Sequence, residues 1–354
     1  IYTKTLGIAR WSATFGPLFE VIPAAGTVLI LWLGGVRVVD GVITIGEFIA
    51  FLQYLAVLVL PIRITGWFFA NLPRGTAAGT RVEDFLAEDV AIDDPQDPVV
   101  LSPGPGEVRF EGVCFAYPNG EPVLNGIDLT IPGGSSVALV GVTGSGKTTL
   151  AHLIPRFHDV GLGAITLDGV DIRSLALEQL RQEVAVVFQE TFLFSASVRA
   201  NIGVGDPNAG DEQVRAAARL AQAHGFICEL PEAYDTIVGE RGHSLSGGQR
   251  QRVALARAVV RDPRVLILDD ATSSVDAVVE AEIQAALRHV MEGRTTIIVA
   301  HRTSTLALAD HVVFLEDGAI AAVGTHDELM ATVPRYGAVL ASTNPAGGVR
   351  GAPQ

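Results

Sequence analysis

Two long apolar runs near the start of the chain limit the folds open to it more than any other feature. They are residues 15–36, FGPLFEVIPAAGTVLILWLGGV, and residues 48–70, FIAFLQYLAVLVLPIRITGWFFA. A helix needs about 20 apolar residues to cross the roughly 30 Å hydrocarbon core of a bilayer, so each run is long enough to span it. The short connection around Gly41 predicts that the two helices are antiparallel neighbours. A buried helical hairpin in a soluble protein is the alternative.

The basic residues around these runs predict how the hairpin is oriented. One arginine, Arg37, lies in the connection, whereas several basic residues lie on the outer flanks. Those are Lys4, Arg10, Arg63, Arg74 and Arg81. Because cytoplasmic segments carry an excess of Lys and Arg, both ends of the hairpin are expected in the cytoplasm. The sequence therefore predicts a multi-pass protein of the cell membrane whose second part lies in the cytoplasm.

Composition excludes several classes of protein. The formal net charge of −14 disfavours a nucleic-acid partner, since phosphate backbones are bound by basic faces. The two cysteines, Cys114 and Cys228, lie far apart and without a second ligand at metal-binding spacing, so neither a disulfide framework nor a zinc site is expected. The chain begins with Ile1 rather than Met, and we expect its natural start to lie upstream.

A change in composition marks a domain boundary after the hairpin. Residues 84–106, DFLAEDVAIDDPQDPVVLSPGPG, are rich in Pro, Asp and Gly, as linkers are. Beyond them, apolar runs of strand length alternate with helical patterns, which indicates an α/β domain with a largely parallel sheet. The strand-length runs are 136–140, 184–188, 265–268 and 296–300, and the helical patterns include 211–224 and 276–290. The predicted segments are a membrane part at 1–85, a linker at 86–106, an α/β domain at 107–340 and a mobile tail at 341–354.

The motif GVTGSGKTT, Gly141–Thr149, matches the phosphate-binding pattern G-x-x-x-x-G-K-[ST] at every fixed position. Its glycines let backbone N–H groups turn toward phosphate oxygens, and the helix that follows adds its positive end. Lys147 supplies a compact charge for the β- and γ-phosphates, and Thr148 supplies a hydroxyl for Mg²⁺. We expect ATP and Mg²⁺ as ligands. The ATP-contacting residues predicted here are Gly141, Thr143, Gly144, Ser145, Gly146, Lys147, Thr148 and Thr149.

Two further stretches carry chemistry. VLILDD ends a buried strand in adjacent carboxylates, which repel each other unless a cation is near. Asp269 is therefore expected to contact Mg²⁺, and Asp270 to face the attacking water. LSGGQ, Leu245–Gln249, opens a helical pattern that predicts either a second phosphate-facing helix start or an ordinary Ser-capped helix.

Taken in order, the phosphate loop, LSGGQ, LILDDATSSVD and AHR resemble the nucleotide-binding domain of an ATP-binding cassette (ABC) transporter over residues 107–340. The preceding hairpin is similar to the fifth and sixth transmembrane helices of an exporter-type half-transporter. Four helices precede this point in that family. The resemblance thus implies that the chain is the C-terminal part of a half-transporter.

The resemblance assigns roles that the residues alone do not. Tyr117 would stack on adenine, Gln189 would reach Mg²⁺ and sense the γ-phosphate, and His301 would contact the γ-phosphate. Asp276 would lie at the interface between two such domains. The segment TIVGERG, 236–242, resembles the part that touches cytoplasmic loops of the partner's membrane helices. Taken alone, Tyr117 and Gln189 could be ordinary core or loop residues, and a lone histidine such as His301 is usually a satisfied polar residue.

In this family two domains pair head to tail, so each ATP lies between the phosphate loop of one chain and the signature sequence of the other. The signature residues expected to act on the partner's ATP are Leu245, Ser246, Gly247, Gly248 and Gln249. The family has glutamate where this chain has Asp270. We therefore expect the slow-site subunit of a heterodimeric exporter, an ATPase with a weak site of its own. A homodimer with a working aspartate, an importer of a lipid or siderophore, and a regulator that transports nothing are the alternatives.

One charge inside the hairpin raises a question about substrate. Glu20 lies between Pro17 and Pro23, at about the same sequence distance from the turn as Arg63. Both are expected near the inner membrane face, at the level of the lipid headgroups. The sharper hypothesis is that Glu20 lines the substrate cavity, as intramembrane carboxylates do. Neither the substrate nor the direction of transport follows from the sequence.

Overall fold

The chain divides into two compact units, Ile1–Val90 and Ala91–Gln354. The computed structural model describes residues 21, 24–88, 90–118, 120–239, 242, 244–270, 277–300 and 303–343.

The first unit contains helix α1 (Ala24–Val39) and helix α2 (Ile45–Leu86). Thr44 begins α2 with a capping box, in which its hydroxyl accepts from the Glu47 backbone N–H at 3.2 Å and its own N–H donates to the Glu47 carboxylate at 2.8 Å. Gly34 of α1 lies directly against the Phe48 ring of α2, where a larger side chain would not fit. A glycine thus lets the two helices approach closely beside the turn.

Helix α2 is the membrane-spanning candidate. Among the described residues it is the one helix whose length and apolar composition suffice to cross a bilayer. It has 42 residues, or about 63 Å at 1.5 Å per residue, and it continues through Pro61 and Pro73. Large apolar side chains such as Trp67 and Phe69 are exposed on it, as a lipid-facing helix requires. The apolar run 48–70 lies wholly within α2, and residues 15–20, 22 and 23 of the other run lie outside the described residues.

The second unit is built on a six-stranded sheet with the strand order β10–β9–β3–β8–β7–β6. Its five strands from β9 to β6 are parallel, and β10 pairs antiparallel with β9. Four of them are the apolar runs predicted as strands. The bounds are β3 (Ser136–Val140), β6 (Val184–Val187), β7 (Val265–Asp269), β8 (Thr295–Val299), β9 (His311–Glu316) and β10 (Ala319–Gly324).

A second, antiparallel sheet has the order β2–β1–β4–β5 and was not predicted. Its strands are β1 (Val108–Ala116), β2 (Pro122–Ile131), β4 (Leu162–Leu167) and β5 (Val170–Asp171). Polar residues alternate with apolar ones along β1 and β2, and the β1–β2 pairing contains register shifts, so neither strand forms a continuous apolar run. That is the pattern of a sheet with one face in solvent.

Helices cover both faces of the six-stranded sheet. Along β3, Ala138 and Val140 pack into a core with α5, α6, α8 and α9, whereas Val137 and Leu139 pack into a core with α3 and the antiparallel sheet. The bounds are α3 (Lys147–Leu153), α4 (Leu177–Glu183), α5 (Val198–Gly203), α6 (Asp211–Leu220), α7 (His224–Glu229), α8 (Gly247–Val259), α9 (Ala277–Met291), α10 (Thr303–Leu306), α11 (His326–Thr332) and α12 (Pro334–Thr343). Helix α12 runs three residues into the predicted tail, whose remainder lies outside the described residues.

Much of the predicted linker packs on the second unit. The Asp94 carboxylate accepts from the Leu177 N–H at the start of α4 at 2.6 Å, and the Val99 N–H donates to the Ser174 carbonyl at 2.8 Å. Leu101 is buried in the core beneath the antiparallel sheet. We call residues 94–101 the strap. It lies beside the first turn of α4, a helix that leads directly into β6.

Candidate nucleotide-binding site

The phosphate loop joins the carboxyl end of β3 to the start of α3. Gly144 and Gly146 have φ values of 85° and 95°, in the left-handed region that side chains disfavour. A Cβ on Gly146 would also lie 2.7 Å from Cδ2 of Leu124. Glycine is therefore required at Gly146 for two reasons, backbone angle and space. The loop turns sharply beneath the antiparallel sheet.

Lys147 lies inside this loop and is only 4% exposed. Its ammonium donates to the carbonyl oxygens of Gly141 at 2.8 Å and Val142 at 2.9 Å. Burial lowers the pKa of Lys147, and the nearby Asp269 carboxylate opposes that shift. The loop thus holds a poorly solvated positive charge that an anion would stabilise.

Ser145 and the first turn of α3 complete the anion site. The Ser145 hydroxyl is buried and has no hydrogen-bond partner among the residues that the structure describes. Gly146, the N-cap of α3, has no side chain to occupy the free N–H groups of that turn. A phosphate would satisfy both groups. Thr143 is exposed at the tip of the same loop.

Oxygen atoms suited to Mg²⁺ lie beside the loop. Asp269 ends β7 and is 6% exposed, and its Oδ1 accepts from the Thr148 hydroxyl at 3.4 Å. Mg²⁺ prefers carboxylate, hydroxyl and phosphate oxygens arranged around it as an octahedron. Thr148 and Asp269 therefore fit a magnesium site. When bound there, Mg²⁺ would neutralise phosphate charge.

His152 is a neighbour of this site that sequence reasoning missed. Its Nε2 lies 3.3 Å from Oδ2 of Asp269, on the opposite carboxylate oxygen from Thr148. His152 follows Thr148 by four residues, so the two share one face of α3. The four-residue spacing from Thr148 is the sequence signal that could have identified His152. The imidazole limits how the Asp269 carboxylate can rotate.

Asp270 and Gln189 meet, although 81 residues separate them in the chain. The Gln189 amide Nε2 donates to Oδ2 of Asp270 at 3.1 Å. Asp270 is 8% exposed and has a φ of 46°, an uncommon angle for a residue with a side chain. Its backbone N–H donates to the Val299 carbonyl at 3.2 Å. The backbone bond to Val299 and the hydrogen bond from Gln189 together hold the Asp270 carboxylate beside the Gln189 side chain.

Tyr117 lies at the entrance to the loop and is 40% exposed. Its hydroxyl forms a hydrogen bond of 3.1 Å with the Thr149 hydroxyl of α3. This ties the ring to the helix that the phosphate loop opens. An aromatic ring in that place can stack on a base whose phosphates occupy the loop.

Comparisons with known proteins agree with this geometry. The family described as ABC transporter matches residues 124–273. An ATP-dependent lipid A-core flippase of Desulfotalea psychrophila is 40% identical over 95% of this chain and 59% of its own length. A multidrug efflux ATP-binding/permease protein of Mycobacterium bovis is 41% identical over 95% of this chain and 28% of its own. A solved bacterial Atm1-family ABC exporter with ATP bound superposes with a TM-score of 0.71 at 31% identity, over 98% of this chain and 60% of that one.

The second unit is an ABC transporter nucleotide-binding domain. The expected family and fold class, a helical part followed by an α/β nucleotide-binding domain, are confirmed. The chain spans 59% of the flippase and 60% of the solved exporter.

The signature sequence of this ABC domain forms the start of α8. The Ser246 hydroxyl accepts from the Gln249 N–H at 3.3 Å, and the Gln249 side chain accepts from the Ser246 N–H at 2.9 Å. Leu245 is buried, and its carbonyl accepts from the Arg250 guanidinium at 2.7 Å. The structure thus contains the Ser-capped helix that was one of the two sequence interpretations, and Ser246 remains exposed.

Several predicted site residues of the ABC domain and hairpin lie outside the described residues. They are Glu20, Asp276 and His301, together with positions 240 and 241 of TIVGERG. Their roles stay predictions. Within the described part of that segment, Val238 is buried and Ile237 is 67% exposed.

Proposed function

We propose that this chain is one half of a dimeric ABC exporter that uses ATP to move a substrate across the bacterial cell membrane. Two similarities support this. The exporter fold extends over 98% of the chain, including the helical part, and the relatives named above are a flippase and an efflux protein. The exposed apolar surface of α2 supports membrane insertion of that part.

Each residue of the site has a task in this proposal. Lys147 and the loop N–H groups bind the β- and γ-phosphates, and Tyr117 stacks on adenine. Thr148 and Asp269 hold Mg²⁺, with Gln189 beside them. The signature segment at the start of α8 covers the ATP bound by the partner subunit, so that ATP closes the domain pair.

The observation that carries the finer proposal is the position of Asp270. An aspartate is one methylene shorter than the glutamate of the family, and here its carboxylate is directed toward Gln189. A displacement of about 1 Å can cost about a hundredfold in rate. We infer that this chain's own site binds ATP and hydrolyses it slowly. The intact signature, in contrast, is suited to a fast site built on the partner's phosphate loop.

A slow site and an intact signature in the same chain predict a heterodimer. Two copies of the chain would form two slow sites, whereas a partner with glutamate at the matching position would supply one fast site. Removing one methylene at the base affects only the site that contains it, because each site takes its base from one chain and its signature from the other. The exporter would then keep one ATP bound for long periods while the other turns over.

The experiment is to purify the native complex and compare two base variants by ATPase assay. Asp270→Ala in this chain should lower turnover less than about threefold. Glu→Ala at the matching position of the partner should lower it by about a hundredfold or more, since base assistance contributes about 10²–10⁴-fold. Asp270→Asn is the control for side-chain size, because it keeps the shape of the aspartate and removes its charge. A complex that contains only this chain, or an Asp270→Ala variant as inactive as the partner variant, would refute the asymmetric site.

The substrate is the remaining part of the proposal. The names of the two relatives make a lipid and a multidrug panel the first substrates to test. Inverted membrane vesicles separate export from import, because an exporter accumulates substrate inside them only when ATP is added. A Glu20→Gln variant in the same assay tests whether Glu20 contacts substrate.

A further inference from the structure

Three rings pack together at the edge of the nucleotide site. The centroids of Phe115, Tyr117 and His158 lie 4.9, 5.2 and 5.6 Å apart, and the planes of Phe115 and His158 stand at 83° and 87° to Tyr117. We call these residues the aromatic triangle. Because the Phe115–His158 separation is similar to the separations of both rings from Tyr117, the two rings approach the tyrosine from neighbouring directions rather than from opposite ones. The tyrosine itself remains 40% exposed.

Contacts of the neighbouring residues fix the backbone around His158. Two residues before it, Arg156 is 6% exposed and binds the carboxylate of Asp159 through two hydrogen bonds of 2.7 and 3.1 Å. Beyond it, the Gly161 N–H donates to the Cys114 carbonyl of β1 at 3.0 Å, beside Phe115. The backbone on both sides of His158 is therefore fixed. The imidazole can leave Tyr117 only by rotating about its own side-chain bonds.

The neighbours of Tyr117 constrain it in different ways. The hydrogen bond between the Tyr117 and Thr149 hydroxyls fixes the hydroxyl end of the ring. It does not fix the angle of the ring plane. Perpendicular ring contacts supply that missing constraint, because edge-to-face packing is directional. Phe115 is 5% exposed and belongs to the core, whereas His158 is exposed. His158 can thus be changed without opening the core.

We propose that His158 is a positioning residue for nucleotide recognition, which sets the tilt of Tyr117 so that the exposed part of its ring stacks on adenine. The proposal deepens the proposed function and rests on ATP binding by this domain. His158 acts through Tyr117 and contributes nothing to the phosphates, so its effect depends on the base. Sequence reasoning assigned adenine stacking to Tyr117 alone.

The test compares a ligand with a base and a ligand without one. ATP and inorganic tripolyphosphate are titrated calorimetrically into the full transporter, with the phosphate-loop lysine of the partner subunit replaced so that only this chain's site binds. His158→Ala should weaken ATP binding about threefold to tenfold, the range expected for one aromatic pair. Tripolyphosphate affinity should change less than twofold. His158→Phe should restore ATP binding, because it keeps the ring.

A double-mutant cycle separates positioning from a general effect on the fold. In a Tyr117→Ala background, the further change His158→Ala should leave ATP affinity unaltered, since no ring remains to be positioned. Equal losses for ATP and tripolyphosphate would overturn the proposal, as would a full His158→Ala effect without Tyr117. If wild-type protein binds neither ligand, the proposed function fails instead. If Tyr117→Ala weakens ATP binding and His158→Ala does not, only the present inference fails.

Discussion

The two helix starts of the ABC domain, at α3 and at α8, are built in opposite ways. The N-cap of helix α3 is Gly146, which has a φ of 95° and no side chain to cap the first turn. The N-cap of helix α8 is Ser246, which exchanges hydrogen bonds with Gln249 in a capping box. At α3 no side chain caps the backbone N–H groups of the first turn, so they can bind a ligand. At α8 the Ser246 side chain caps the first turn.

In the proposed dimer, this difference would allow one chain to serve two sites. The α3 start includes a buried ammonium at Lys147, so it attracts an anion strongly without help from another molecule. The α8 start satisfies its own polar groups, and Ser246 is exposed. In the proposed dimer it adds contacts to a nucleotide that the partner subunit has positioned. Under that proposal, binding and closure belong to separate helices, and variants of each helix should fail differently.

The largest expected effect is at Lys147. Lys147→Ala removes the charge that the triphosphate needs, and losing one partner of a buried charge pair costs about 3–5 kcal/mol, or roughly a hundredfold to several thousandfold in affinity. Binding of a photoaffinity ATP analogue to this chain should be lost. Lys147→Arg is the matched control and should also bind weakly, because the larger planar group does not fit a point-charge role. Unchanged labelling of Lys147→Ala would contradict the first half of the comparison.

An intermediate effect is expected when the same glycine-to-alanine change is made at both helix starts. Gly146→Ala should lower the free energy of unfolding by about 1–2 kcal/mol from backbone strain, and by more if Leu124 cannot move aside. Gly247→Ala, inside the first turn of α8, should leave it unchanged or raise it by up to about 1 kcal/mol. Thermal melting of the two variants measures the difference. Equal destabilisation would show that the two glycines serve the same purpose.

The smallest effect is expected at Ser246. Ser246→Ala removes the N-cap of α8 and should lower the free energy of unfolding by about 1 kcal/mol. ATP binding by this chain's own phosphate loop should not change, whereas turnover by the complex should fall because the partner's nucleotide loses its cover. Ser246→Asp, which keeps an N-cap, controls for stability. A loss of ATP binding in the Ser246→Ala chain would break the proposed separation of tasks.

The parallel strands and the phosphate loop could be predicted because their signals are local. A strand buried on both faces reads as a continuous apolar run, as in SVALV of β3 and VLIL of β7. The loop motif fixes glycines and a lysine at set spacings, and the structure explains each spacing by an angle or a contact. Helix α2 was predicted only for its apolar part, since Pro73 and the charged residues beyond it are typical of a helix end.

The remainder depends on contacts that no local pattern contains. Gln189 and Asp270 meet only because β6 and β7 are neighbours in the sheet. His158 reaches Tyr117 because the loop after α3 returns to β1. The antiparallel sheet was missed for a different reason, as its strands alternate polar and apolar residues over short, bulged stretches. These are tertiary relations, and a single sequence gives no spacing that predicts them.

The strap beside α4 is where a mechanical load on the chain before it would first act on the second unit. Tension applied to the chain at Ala91 would first reach the bond between Asp94 and the start of α4, and next the bond between Val99 and Ser174. Leu101, which is buried in the core, comes next along the chain. The strap therefore places two hydrogen bonds between a load on the chain before it and the core of the ABC domain.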